Sequence, residues 1–215
     1  MTKEELIKSF VGSSKAKAIE YMIANREELR TKGLFVNENA DHGTVFAYGE
    51  ANVFAHGNAT VYADDTAEVA AHDTAKVYAH GEAKVEAHGN AKVEAHGEAK
   101  VEAHDNADVC ADENAEVFAH ENADVYARDG AKVYAHGTAE VFAHDEVKVY
   151  AHENAKVCAY ENADVYADEN AKVYAYDNVK VDADGNAEVY ADGNIIGSLC
   201  SSAHHHRGGG NAERH

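Results

Sequence analysis

Ala83-Lys84-Val85-Glu86-Ala87-His88-Gly89-Asn90 is one copy of an eight-residue unit that runs nineteen times from Gly43 to Asn194 without insertion or deletion. The third position is Val and the fifth Ala in all nineteen copies, and the first is Ala in sixteen, the exceptions being Gly43, Val147 and Val179. Apolar residues at positions one, three and five have a period of two, which defines a strand with one buried face; an amphipathic helix needs a period near 3.6. Positions two and four carry Lys76, Lys84, Asp108, Asp124, Glu86 and Glu94. Stacked charges of this kind would be very costly inside, so Ala-Val-Ala faces inward. Positions six to eight, such as His56-Gly57-Asn58 and Asp112-Glu113-Asn114, are polar and rich in residues that tolerate left-handed backbone, so they read as turns. Strand and turn at a fixed short period specify a β-solenoid.

The number of units per coil follows from how the turn residues alternate. In every second unit, position six reads His56, His72, His88, His104, His120, His136 and His152, then Asp168 and Asp184. The intervening units read Tyr48, Asp64, His80, His96, Asp112, Arg128, His144, Tyr160, Tyr176 and Asp192, with no such regularity. Position eight alternates in step, with seven Asn and two Thr in the histidine series and a mixed set in the other. The structural period is therefore two units: about 16 residues per coil in an all-β, parallel two-sheet solenoid, with Val85 expected over Val101. A three-sided coil would enclose a space that Ala and Val cannot fill at normal packing density. Nine and a half coils at about 4.8 Å each give a body roughly 45 Å long.

The flanks read differently. Residues 1–33 form an N-terminal α-helical cap: Thr2-x-x-Glu5 is a capping box, Leu6 and Phe10 make an apolar pair, and Gly12 breaks the helix. Ser13 or Ser14 caps a second helix expected to run to Gly33, with Ile19, Met22, Ile23 and Leu29 in one apolar stripe. That stripe is expected to cover the first coil, whose sheet edges are open. Residues 34–42 read as a degenerate opening coil, 43–194 as the octapeptide solenoid, 195–202 as a closing segment and 203–215 as an unpatterned mobile tail.

Composition narrows function. Residues 43–194 hold 10 Lys/Arg and 31 Asp/Glu, against a net charge of −20 for the whole chain, which argues against binding nucleic acid through phosphates. No stretch is long and apolar enough to span a bilayer, and Met1-Thr-Lys-Glu-Glu has no apolar signal core, so the expected location is cytoplasmic, or outside after release without a secretory signal peptide. Cys110 and Cys158 share a column but lie about 14 Å apart along the stack, too far for a disulfide within one chain. Outward threonine is confined to Thr44 and Thr60, which argues against an ice-binding array. No nucleophile–base pair, phosphate loop or carboxylate cleft stands out, since each candidate group recurs many times, so no enzymatic activity is expected.

Two features carry chemistry. The column His56, His72, His88, His104, His120, His136 and His152 places imidazoles one coil apart, close enough to suggest a borderline metal such as zinc. The plainer account is that a neutral turn residue was copied with its unit. The same stacking is expected to depress the histidine pKa values by mutual repulsion. Position four is aromatic in twelve units, among them Tyr126, Tyr134, Phe142, Tyr150, Tyr166 and Tyr174. Stacked outward rings stabilise neighbouring coils and present a candidate interaction face. Acidic turns such as Asp64-Asp65-Thr66 resemble the calcium turns of haemolysin-type nonapeptide repeats, but position seven is Gly in eight units and Asp or Glu in eleven, where those repeats require fixed glycines, so these acids are expected to be solvated charge.

Units such as Asn58-Ala59-Thr60-Val61-Tyr62-Ala63 and Ala47-Tyr48-Gly49 resemble the octapeptide repeats, Asn-Ala-Thr-Val-x-Ala-Tyr-Gly-like, of bacterial and prophage-encoded β-solenoid proteins. The resemblance covers residues 43–194 and brings no functional residues with it. The reading that results is a non-enzymatic structural or interaction protein, a rigid acidic rod bearing ladders of Tyr, Lys/Glu and His for a protein partner or for self-association. The alternatives are a metal-binding (zinc or calcium) or pH-responsive module on the histidine column, and an acidic mimic of nucleic acid.

Overall fold

The structure, a computed structural model, describes residues 1–193, 196–198 and 204–207. From Thr44 onward nearly every unit forms a four-residue strand over positions two to five, and successive strands go alternately to two parallel sheets. Among the described residues one sheet has twelve strands, from Leu34–Val36 to His204–Arg207, and the other nine, from Asn52–Ala55 to Lys180–Ala183. Within the repeat each strand pairs in register with the strand sixteen residues on: Val85 lies beside Val101, and Val93 beside Val109. The two-unit coil is thus the observed one. No repeat valine is more than 3% exposed, and the alanines at positions one and five close the thin core between the sheets.

The turns continue the ladder. The position-six N–H donates to the position-five carbonyl one coil earlier (His72 N to Ala55 O, 2.9 Å), and the position-eight N–H to the position-seven carbonyl (Asn90 N to Asp73 O, 2.8 Å). The first residue of the next unit closes the turn on position six, as Ala91 N does on His88 O at 3.3 Å. Position seven is left-handed in all eighteen turns from Gly49 to Gly185, with φ between 55° and 71°. Eleven of these residues are Asp or Glu, although left-handed backbone costs an ordinary L-residue roughly 1–2 kcal/mol.

The acids are explained by the N–H of that same residue, which takes no part in the carbonyl ladder. Eight position-seven carboxylates accept a hydrogen bond from the position-seven N–H one coil earlier, among them Asp73 from Gly57 (3.0 Å), Glu113 from Gly97 (2.8 Å) and Glu153 from Gly137 (2.6 Å). Sequence reading assigned these acids to solvent. They instead supply the acceptor that the backbone lacks.

The ends depart from expectation in instructive ways. Helix α1 (Lys3–Phe10) has the reciprocal capping box, Thr2 Oγ1 accepting from Glu5 N at 3.1 Å and Glu5 Oε2 from Thr2 N at 2.8 Å. The expected single second helix is two, α2 (Lys15–Ala24) and α3 (Arg26–Thr31). Asn25 divides them, its Nδ2 donating to Tyr21 O at 2.7 Å while its own backbone leaves the helical region (ψ 20°), a local competition typical of Asn. Ser14 stands at the N-cap of α2 without a side-chain cap bond. Ala18, Met22 and Leu29 face inward, whereas Ile23, expected in the stripe, is 64% exposed.

The helices cover the outer face of the twelve-stranded sheet, where Phe10 meets Phe46 edge-on at 5.2 Å, rather than its open edge. Lys15 ties α2 to the turns, reaching Asp64 at 2.9 Å and Asp65 at 2.6 Å. The edges are taken by residues 34–42. The strand Leu34–Val36 pairs with Thr44–Phe46, and its last carbonyl accepts from Arg26 Nη2 at 3.2 Å. Ala40 bridges to Ala55, and Asn39 Oδ1 accepts from Phe54 N at 2.9 Å. This opening coil is short, and it explains why the first unit begins with Gly43: a Cβ there, at φ +84°, would stand 2.4 Å from Gly33 O.

At the other end Ile196–Ser198 lies along the nine-stranded sheet, Val181 N donating to Ile196 O and Ala183 N to Ser198 O, both at 3.0 Å. His204–Arg207, assigned by sequence to a mobile tail, pairs with Glu188–Ala191 as a further parallel strand. A terminal strand is a template of unpaired backbone groups, and backbone pairing needs no side-chain pattern. The rest of the closing segment and tail, Cys200 included, lies outside the described residues.

Candidate functional site

Alternation of strands gives each outer face three columns, from positions two, four and six. On the nine-stranded face the seven histidines form one continuous stack from His56 to His152, with ring centroids 4.8–5.5 Å apart and planes within 6–11°. All seven are half-buried. At the foot of the column His152 Nδ1 meets Asp168 Oδ1 at 2.8 Å. The His120 pKa is pushed below its ordinary value, chiefly by burial and then by the neighbouring imidazoles of His104 and His136. At His120 repulsion between rings, expected to dominate, ranks second to desolvation.

Parallel stacking limits what the column can bind. Two nitrogens sharing a zinc stand at most about 4.2 Å apart, twice a zinc–nitrogen bond. The ring centroids are farther apart than that and the parallel rings direct their lone pairs side by side, so two neighbours share an ion only where their rings tilt toward each other. Among the described residues, three ligand atoms of different side chains come within 4.8 Å of one another at Glu86, His88 and His104, where His88 Nε2 stands 3.0 Å from Glu86 Oε1. Eight of the acidic turns aim their position-seven carboxylates along the stack at backbone N–H groups.

The six aromatic residues proposed as one interaction face divide between two. Tyr134, Tyr150 and Tyr166 lie on the nine-stranded face and continue from Phe118 as an unbroken ladder, 4.8, 4.9 and 5.0 Å between successive centroids. Tyr126, Phe142 and Tyr174 lie on the opposite face, where Tyr126 stacks on Phe142 at 4.9 Å, Cys158 interrupts the run, and Tyr174 resumes it with Tyr190 at 5.0 Å. Phe118 and Tyr190 were legible as members once units are counted in pairs.

Sequence reading saw no order in position six of the twelve-stranded side, yet the structure joins it. His80 stacks on His96 at 4.9 Å, His96 Nδ1 meets Asp112 Oδ1 at 2.7 Å, and Arg128 Nη2 donates to Asp112 Oδ2 at 2.9 Å. Asp112 is only 8% exposed. Burial pushes its pKa up, but the hydrogen bonds from Arg128 and His96 outweigh burial and hold the carboxyl below the usual range. The signal was His, Asp and Arg at sixteen-residue spacing.

Position two supplies ion pairs between coils, such as Lys92 to Asp108 at 2.7 Å and Lys156 to Glu140 at 2.6 Å. These exposed pairs contribute little each. No family model matches the chain, and neither a curated protein nor a solved structure matches it.

Proposed function

We propose that this is a non-enzymatic structural or interaction protein, a rigid acidic rod whose contact surface is the Phe118–Tyr134–Tyr150–Tyr166 ladder. The observation that carries the reading is the continuity of those four rings, spaced 4.8–5.0 Å and flanked on one side by the charged column Glu116–Lys132–Lys148–Asp164 and on the other by His120, His136, His152 and Asp168. Backbone bonding that runs through strands and turns alike supports rigidity, so the ladder is presented without an ordering cost at binding. Repetition supports the absence of catalysis: each titratable outer group recurs along the stack. The partner is a protein, either a second copy or another chain, since a net of −21 over residues 43–194 opposes phosphate backbones.

The test replaces Tyr150, and separately Phe54 of the same face, with a photo-crosslinking aromatic residue in living cells. A discrete protein adduct at position 150 and none at position 54 is the expected result. Adducts of equal yield at both positions, or none at either, would overturn the reading.

A further inference from the structure

We propose that Glu86, His88, Glu102 and His104 form a zinc site on the outer face of the nine-stranded sheet, bridging two successive coils. The motif Glu-x-His occurs in three consecutive units, at Glu86/His88, Glu94/His96 and Glu102/His104. The two-unit coil sorts the first and third onto one face as direct neighbours, with Glu86 in register with Glu102 and the His88 and His104 rings 4.8 Å apart. The second pair falls on the opposite face, where Asp112 engages its imidazole at 2.7 Å. Two carboxylates and two imidazoles therefore fall on neighbouring strands at this one level of the histidine column. Elsewhere along the column position four offers Phe54, Ala70, Phe118, Tyr134 or Tyr150, none of which supplies an anionic ligand.

Stacking two carboxylates side by side is unfavourable unless something neutralises them. The lysines beside them do not. Lys84 turns along its column to Glu68 at 3.1 Å and Lys100 to Glu116 at 3.4 Å. Among the described residues Glu86 and Glu102 have no lysine or arginine within ion-pairing distance, and Glu86 turns instead to His88. A divalent ion supplies the missing charge, and two neutral imidazoles with two carboxylates leave no net charge at the site. Imidazole donors favour a borderline transition metal over calcium, and four nitrogen and oxygen donors suit tetrahedral zinc. The ligand atoms of Glu86, His88 and His104 already lie within 4.8 Å of one another, and Glu102 joins them by side-chain rotation from its place beside Glu86. A tetrahedron with zinc bonds of about 2.1 Å has edges of about 3.4 Å, a gap that ring tilt and carboxylate rotation can close. The ladder of parallel rings is then broken at one level by rings turned toward a common centre.

The test is isothermal titration with zinc, backed by cobalt absorption as a report on tetrahedral geometry. All arms carry His204→Gln, His205→Gln and His206→Gln, so that the three consecutive terminal histidines do not contribute. The expected result is one equivalent of zinc for the parent chain, with affinity lowered at least tenfold by Glu86→Gln with Glu102→Gln and unchanged by His56→Gln with His72→Gln. Circular dichroism checks that the Gln variants keep the fold. Equal losses in both double variants, undiminished binding after the glutamate changes, or the lack of a stoichiometric site in the parent would each overturn the proposal. The aromatic ladder is untouched in every arm, so failure here leaves the interaction-face reading standing.

Discussion

Glu153 sits at position seven with φ 58°, and its Oε2 accepts from Gly137 N at 2.6 Å. Replacing it separates two opposing terms. Left-handed backbone costs an L-residue roughly 1–2 kcal/mol, and a glycine recovers that cost while giving back about 0.5–1 kcal/mol of chain entropy. The hydrogen bond contributes about 1 kcal/mol, toward the low end for a charged acceptor because water reaches it. Glu153→Ala loses the bond and keeps the strain, so it is expected to destabilise by about 1 kcal/mol. Glu153→Gly loses the same bond but sheds the strain, and should lie about 0.5–1 kcal/mol above the alanine variant. Urea titration at neutral pH measures the difference, and in a thermal melt 1 kcal/mol corresponds to about 2–4 °C for a chain of this size. An alanine variant as stable as the glycine variant, or as stable as the parent, would refute the account of why acids occupy these turns.

Burial, then the neighbouring His96, holds the His80 pKa below its ordinary value, although Asp64, Asp112 and Glu113 oppose the shift. The unfolded chain therefore takes up the proton first. The stability that His80 contributes is complete above about pH 6.5 and is lost as pH falls from there toward the folded value, so between pH 7.5 and 5.5 melting temperature should drop less in His80→Gln than in the parent. Val117 is fully buried, and Val117→Ala should cost about 1.5–3 kcal/mol in denaturant midpoint, the transfer of two methyl groups plus a cavity that a stack of fixed strands closes poorly. Removing residues 1–33 uncovers Phe46 and frees the strand Leu34–Val36. Light scattering should then show association that grows with concentration, and a truncated chain that stays monomeric would count against the cap.

The fold was legible because each side chain of the unit answers one question. Val85 and Ala87 identify the buried face, and the alternation of His88 with a mixed column identifies its partner as Val101 rather than Val93. What could not be read were contacts whose partner is backbone. The position-seven acids looked like solvated charge because the N–H they accept from belongs to a residue sixteen positions away, and no property of that residue's side chain announces it. The His204–Arg207 strand was missed for the same reason. The aromatic residues were found one by one, but assigning Tyr126 and Tyr134 to a single surface ignored the two-unit rule already in hand. The Glu86–His88–Glu102–His104 grouping was legible in full, yet attention to the histidines alone hid the glutamates beside them. The break at Asn25 turns on one side-chain bond to Tyr21 that helix periodicity does not weigh.

The sequence repeats every eight residues whereas the structure repeats every sixteen, so changes of length have a parity. Loss or gain of an even number of units leaves every downstream side chain on its own face and only shortens or lengthens the rod, by about 4.8 Å for each pair. An odd number preserves core, turns and ladder equally well, because Val and Ala occupy the same places in both kinds of unit, but it carries everything downstream to the opposite side. Deleting residues 107–114, for instance, would bring Tyr126 and Phe142 around to the side of His56 and His72 and send the Phe118–Tyr166 ladder to the other. A recombination event between neighbouring units could thus exchange the two surfaces of this protein without disturbing its fold.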